Sequence, residues 1–336
     1  MGKYAKILNK MKDYTITLEN YWNYNKLQND HPLIKSGASH CLNTEQEKLY
    51  IFGGINKEFK LSKELFVINT NDFSIENQID LNIEERINPE MYFWNDNIII
   101  IGGSSFNNSK QMKLFREVIV IKLHDYGLKR IKLENIGLRF TSFFDYKNGD
   151  LYYTGGLDTD NTIYKINIAN EKIEKIKFNQ ETYFSRCGAS SKSYGEKAIL
   201  FSGFKHYNNV PKCHSDYYIF DFDKKTMNWK ECNEFVGRTY SKTILIEKYN
   251  AILFVFGTYN GMEGSRSIII YDYKNDIFDD LRVQEFPVSV SEGIVFYIEN
   301  KKKMYVAGGV SRDKDKSIIQ EIIWELDIEK IMENRN

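Results

Sequence analysis

Six times along the chain a short, almost wholly apolar run ends in glycine: LYIFGG (49–54), IIIIGG (98–103), YYTGG (152–156), ILFSG (199–203), LFVFG (253–257) and MYVAGG (304–309). The first glycines, at 53, 102, 155, 203, 257 and 308, lie 49, 53, 48, 54 and 51 residues apart. Before each run stands a more polar one and a short turn, namely NTEQEK, WNDN, KNGD, SYGEK, EKYN or ENKKK, which predicts a hairpin. After a variable gap comes a third run: ELFVINT (64–70), EVIVIKL (117–123), TIYKINI (162–168), DYYIFDF (216–222), SIIIYDY (267–273) and EIIWELDI (321–328). An amphipathic fourth run closes most units, as in LKRIKLEN (128–135), KIEKIKF (172–178) and NWKECNEF (228–235).

Four strands per unit at a period near 50 residues, the second apolar on both faces, predict antiparallel blades set side by side around an axis, an all-β six-bladed propeller. The glycines end the second strand where the chain turns sharply or meets a neighbour, and glycine tolerates positive φ there. A phosphate cradle would need G-x-G-x-x-G or GK[ST], and neither follows the doublets.

The doublets, the period, and the aromatic–Asp pair followed by tryptophan in YYIFDFDKKTMNW (217–229) resemble the kelch repeat over roughly residues 35–328. Units four and five depart from it, with Phe204 and Thr258 where the second glycine is expected, and among internal units only Trp229 supplies the fourth-strand tryptophan. The resemblance implies a kelch-type propeller at residues 35–328, with 1–34 as an N-terminal segment and 329–336 as a short C-terminal helix or tail. After Ile328 too few residues remain for a paired strand, so the last blade lacks its outer member. Tyr14–Leu27, which carries Trp22, is expected to supply it and so close the ring.

Lys and Arg number 46, Asp and Glu 46, so no overall field marks the chain as a binder of nucleic acid or anionic membrane. Cys41, Cys187, Cys213 and Cys232 show neither C-x-x-C spacing nor the density of a secreted disulfide scaffold. The first residues lack a signal-peptide core, and no window is apolar enough to span a bilayer. These features lead to the expectation of a soluble, cytoplasmic protein, a monomer by itself or a subunit of a larger complex.

Strand direction places the links between blades and the loops from second to third strand on one face of the disk. Those loops are long, as in SSFNNSKQMKLF (104–115), FKHYNNVPKCHS (204–215) and VSRDKDKSIIQ (310–320), and recognition concentrates on such loops. On the same face, 16–19 residues before the first glycine, five units place a basic residue: Lys35, Arg86, Arg139, Arg186 and Arg238. Lys35 opens KSGAS and Arg186 opens RCGAS. The kelch resemblance implies that such residues border the central mouth, where converging cations would receive an acidic peptide segment of a protein partner. The other reading is that each pairs with a carboxylate or carbonyl of its own blade.

Enzymatic motifs are scarce. His31, His40, His124, His206 and His214 give no H-E-x-x-H or H-x-E spacing, and G-x-S-x-G is absent. His206, Cys213 and His214 share one loop but lack an evident fourth ligand, so neither metal nor cofactor is expected. A non-catalytic protein-interaction module or scaffold is the leading expectation. The alternative is a carbohydrate-modifying propeller enzyme such as a sialic-acid isomerase, whose site needs no motif.

Overall fold

A computed structural model describes residues 22–28, 30–106, 111–133, 142–146, 150–154, 163–178, 186–207, 210–232, 235–259, 263–281, 290–313 and 316–333. Six four-stranded antiparallel sheets form in chain order. Blade one comprises Ser36–Asn43, Lys48–Ile55, Glu64–Asn69 and Ile75–Asp80, and blade two Glu90–Trp94, Asn97–Ile101, Glu117–Lys122 and Leu128–Lys132. Blade three comprises Ser142–Tyr146, Asp150–Thr154, Ile163–Asn167 and Lys172–Ile176, and blade four Ser190–Tyr194, Lys197–Phe201, Asp216–Asp221 and Thr226–Glu231. Lys242–Ile246, Ala251–Val255, Ile268–Asp272 and Ile277–Leu281 make blade five. Ile294–Ile298, Lys303–Ala307 and Ile322–Asp327 belong to blade six, and its outer strand is Trp22–Lys26.

That last strand pairs antiparallel with Ile322–Asp327, from Trp22 opposite Leu326 to Lys26 opposite Ile322. The chain therefore closes its ring with a strand from its N-terminal side, as the incomplete last unit requires. Tyr24 lies beside Trp324, with ring centroids 5.3 Å apart.

The apolar second strands are buried on both faces because each blade is covered on both sides. In blade one, Leu49 and Ile51 pack toward blade six, while Tyr50 and Phe52 pack toward blade two. In blade two, Ile98 and Ile100 face blade one, and Ile99 and Ile101 face blade three. Six such clusters, one between each pair of neighbouring blades, make up the core and carry the ring past the junction of blades six and one. A short helix, α1 (Ile328–Glu333), buries Ile331 and Met332 against blades five and six.

The described parts of the second-to-third loops carry more regular structure than their polar sequence suggests. In four blades they form two-stranded hairpins: Ser104–Phe106 with Met112–Leu114, Phe204–Tyr207 with Val210–Cys213, Thr258–Tyr259 with Glu263–Gly264, and Val310–Asp313 with Lys316–Ile319. Each hairpin also bridges back to the link before its own inner strand, at Ile87–Ser104, Cys187–Phe204, Thr239–Thr258 and Ser291–Val310.

These bridges correct the alignment of units four and five. Phe204 and Thr258 are equivalent to Ser104 and Val310, so the lone Gly203 and Gly257 occupy the second glycine position, and Ser202 and Phe256 occupy the first. The second position, with φ between +74° and +98° in the five described blades, lies hard against the start of its own inner strand. A Cβ on Gly257 would stand 2.5 Å from the Thr239 carbonyl oxygen. The first position, at φ +55° in both Ser202 and Phe256, is left-handed backbone that a side chain can adopt at a cost. Gly257→Ala is therefore expected to lower the unfolding free energy by about 1–3 kcal/mol, read from the urea midpoint.

Candidate functional site

The basic residues found by their spacing are in register, but their side chains are closed inside the blades. Arg86, Arg186 and Arg238 are at most 2% exposed, and Lys35 is buried. Each of these three arginines donates from Nη1 to the carbonyl of the first glycine position of its own blade: Gly102 at 2.9 Å, Ser202 at 2.9 Å and Phe256 at 3.3 Å. Each also grips the start of the third strand, Arg86 through Glu117, Arg186 through Asp216, and Arg238 through the carbonyl and hydroxyl of Ser267. Lys35 donates to Ser62 Oγ at 2.8 Å, and burial pushes its amine down to about 8 against the opposing pull of Glu64.

An aromatic ring underlies every one of these cations. Phe66, Phe115, Tyr218 and Tyr259 lie 4.4, 4.0, 4.8 and 5.5 Å from Lys35, Arg86, Arg186 and Arg238, respectively. Their backbones stitch the blades together, since Gly54, Gly203 and Gly309 donate to the carbonyls of Arg86, Arg238 and Lys35 in the next blade. Lys35 and the three described arginines are therefore struts inside blades one, two, four and five rather than an open ring of cations. Carbonyls accept from Nη1 of all three guanidiniums, with a carboxylate as the further acceptor for Arg86 and Arg186 and the Ser267 hydroxyl for Arg238. Val290 takes the corresponding place in blade six, and Arg139 lies outside the described residues.

What lines the axis is a different set. Two residues beyond each strut the backbones join in a collar: Gly37 donates to Glu292, Asn88 to Gly37, and Tyr240 to Gly188. Below it, the inner strands enclose a cavity of about 510 Å³ whose wall includes His40, Glu90, Lys192, Lys242 and Glu292. Glu90 and Lys242 are the first residues of the inner strands of blades two and five, which a six-blade ring sets opposite each other. Burial raises the Glu90 carboxyl, with Lys242 pulling the other way. Burial, aided by Lys242, pushes His40 down to about 3, so its ring is neutral and bonds the Val295 carbonyl at 2.8 Å. Sequence reasoning passed over these residues. Their signal was a charge four positions after the strut, at Glu90 after Arg86 and Lys242 after Arg238.

The loop face carries a second feature. A groove of about 580 Å³ runs between the loops of blades one and six, bordered by Lys26, Lys57, Phe59, Ile318 and Glu321. Phe59 is 70% exposed and Ile318 46%. Phe59 also holds φ +61°, an uncommon conformation for a bulky residue. Asn56 enforces that turn: its Oδ1 accepts from the backbone of Glu58 and Lys60, and its carbonyl accepts from Phe59. Lys57 lies 3.4 Å from Glu321, whereas Lys26 makes no ion pair among the described residues. Exposed Phe106 and Met112 face each other across the neighbouring hairpin of blade two.

Among the described residues, no group of three or more His, Cys, Asp or Glu side chains could hold a metal ion. Among them, too, no helix is long and apolar enough to cross a membrane.

No protein-family model matches the chain, and no curated protein matches it by sequence. Its fold is shared with many solved structures. One of them, described as the structure of YjhT, superposes with a TM-score of 0.64 at 12% identity, covering 85% of this chain and 97% of that one. At that identity the likeness is one of fold.

Proposed function

We propose that this protein is a non-catalytic interaction module of kelch-type blades, and that its loop face takes a peptide segment of a protein partner carrying an apolar anchor beside an acidic residue. The observation that supports this reading is the groove between blades six and one, where Phe59 is held outward in a strained turn. Strained backbone held in place by its surroundings clusters at sites of recognition. Two lysines against one glutamate give the groove a positive balance, suited to a carboxylate next to the anchor. Burying an aromatic or aliphatic anchor there contributes about 1.5–3 kcal/mol.

Phe59→Gly separates recognition from folding. The variant is expected to be at least as stable as the parent, since glycine relieves the left-handed strain, and to lose about tenfold or more in peptide affinity. The test is a fluorescence-anisotropy titration with peptides that place Leu or Phe beside Glu, against matched peptides with Lys in place of Glu. The reading fails if the acidic peptides bind no better than the basic ones, or bind wild type and Phe59→Gly alike.

The second reading, a carbohydrate-modifying enzyme, draws on the convergence of carboxyls, two lysines and a neutral histidine in the channel. Turnover of a sugar acid, lost in Glu90→Gln, would favour it over the interaction module.

A further inference from the structure

We infer that the axial channel is a binding site for a small carboxylate, held by the Lys242 ammonium and separate from the groove on the loop face. The cavity of about 510 Å³ lies within the range of small-molecule sites. Its wall is formed by inner strands locked into the sheets and the backbone collar, so the site is pre-formed. Lys242, half-buried in the channel wall, makes no ion pair or side-chain hydrogen bond among the described residues, so its ammonium is open to a ligand. The blade opposite presents Glu90, whose carboxyl burial raises against the pull of Lys242, which weakens it as a counter-ion.

The remaining wall suits a polar anion. Lys192 on the inner strand of blade four adds a second ammonium, and His40, being neutral, adds no further charge. Ser39 and Ser190 line the same space, the Ser190 hydroxyl donating to the Ser241 carbonyl at 2.7 Å, and Asn88 and Tyr240 stand at the collar. A carboxylate entering from the loop face would therefore meet hydrogen-bonding groups first and the Lys242 ammonium beneath them. Glu292 at the collar, bonded by the Ser36 hydroxyl at 3.0 Å, disfavours large polyanions by repulsion.

The test is thermal-shift and calorimetric titration with acetate, succinate, citrate and inorganic phosphate, against sodium chloride at matched ionic strength. Wild type, Lys242→Met and Glu90→Gln are compared. For wild type the expected result is a saturable rise in melting temperature with at least one of the carboxylates. Lys242→Met should weaken that binding at least tenfold, and Glu90→Gln, which removes a competing carboxyl from the blade opposite Lys242, should tighten it. The opposite signs keep the result readable even if one variant folds poorly. Preference for phosphate over every carboxylate overturns the ligand class, and shifts that match chloride or persist unchanged in Lys242→Met overturn the site.

Discussion

Replacing Arg186 with methionine is expected to lower the unfolding free energy by about 3–5 kcal/mol, because it removes one partner from a buried ion pair and leaves the other in place. Asp216 is buried, and the remaining partners of its carboxylate among the described residues are the Trp229 indole N–H at 2.8 Å and the more distant His214 at 3.8 Å. The carbonyl of Ser202 also loses its guanidinium donor. Arg86→Met should cost less, since Glu117 keeps a second cation, Arg130 at 3.2 Å, and its side chain reaches solvent. The ordering of the two urea midpoints, Arg186→Met below Arg86→Met, checks the strut assignment through its geometry rather than through charge alone.

Removing residues 1–28 is expected to destabilise the protein by on the order of 3–5 kcal/mol, from several lost ladder bonds at about 0.5–1.5 kcal/mol each and the loss of aromatic packing. The closing strand pairs over five residues, and Leu27 adds a hydrogen bond to the Glu321 carbonyl at 3.0 Å. Its loss uncovers the edge of Ile322–Asp327, so the truncated protein should also self-associate through that edge. A melting temperature equal to that of the full chain would show that the ring does not depend on the closing strand.

The period, the four-strand units and the closing strand were legible because burial imposes them on composition. A second strand covered on both sides must be apolar throughout, as at Ile98–Ile101, and such runs are easy to count. The single glycines of units four and five were misplaced by one residue, because a lone glycine does not say which of two left-handed positions it fills. Only the backbone angles and the bridges at Phe204 and Thr258 do. The basic frame was visible, but its direction was not. The partner of Arg186 lies 30 residues downstream and becomes a neighbour only when the third strand folds back. Glu90 and Lys242, far apart along the chain, face one another only once six blades have closed.

The most direct test measures stability and peptide affinity on the same samples of Arg186→Met and Phe59→Gly. If the basic frame is structural and recognition lies on the loops, Arg186→Met loses several kcal/mol of stability while its folded fraction binds the acidic–apolar peptide as wild type does. Phe59→Gly then keeps its urea midpoint and loses the peptide. The reverse pattern, a stable Arg186→Met that no longer binds beside a Phe59→Gly that still does, would contradict the account.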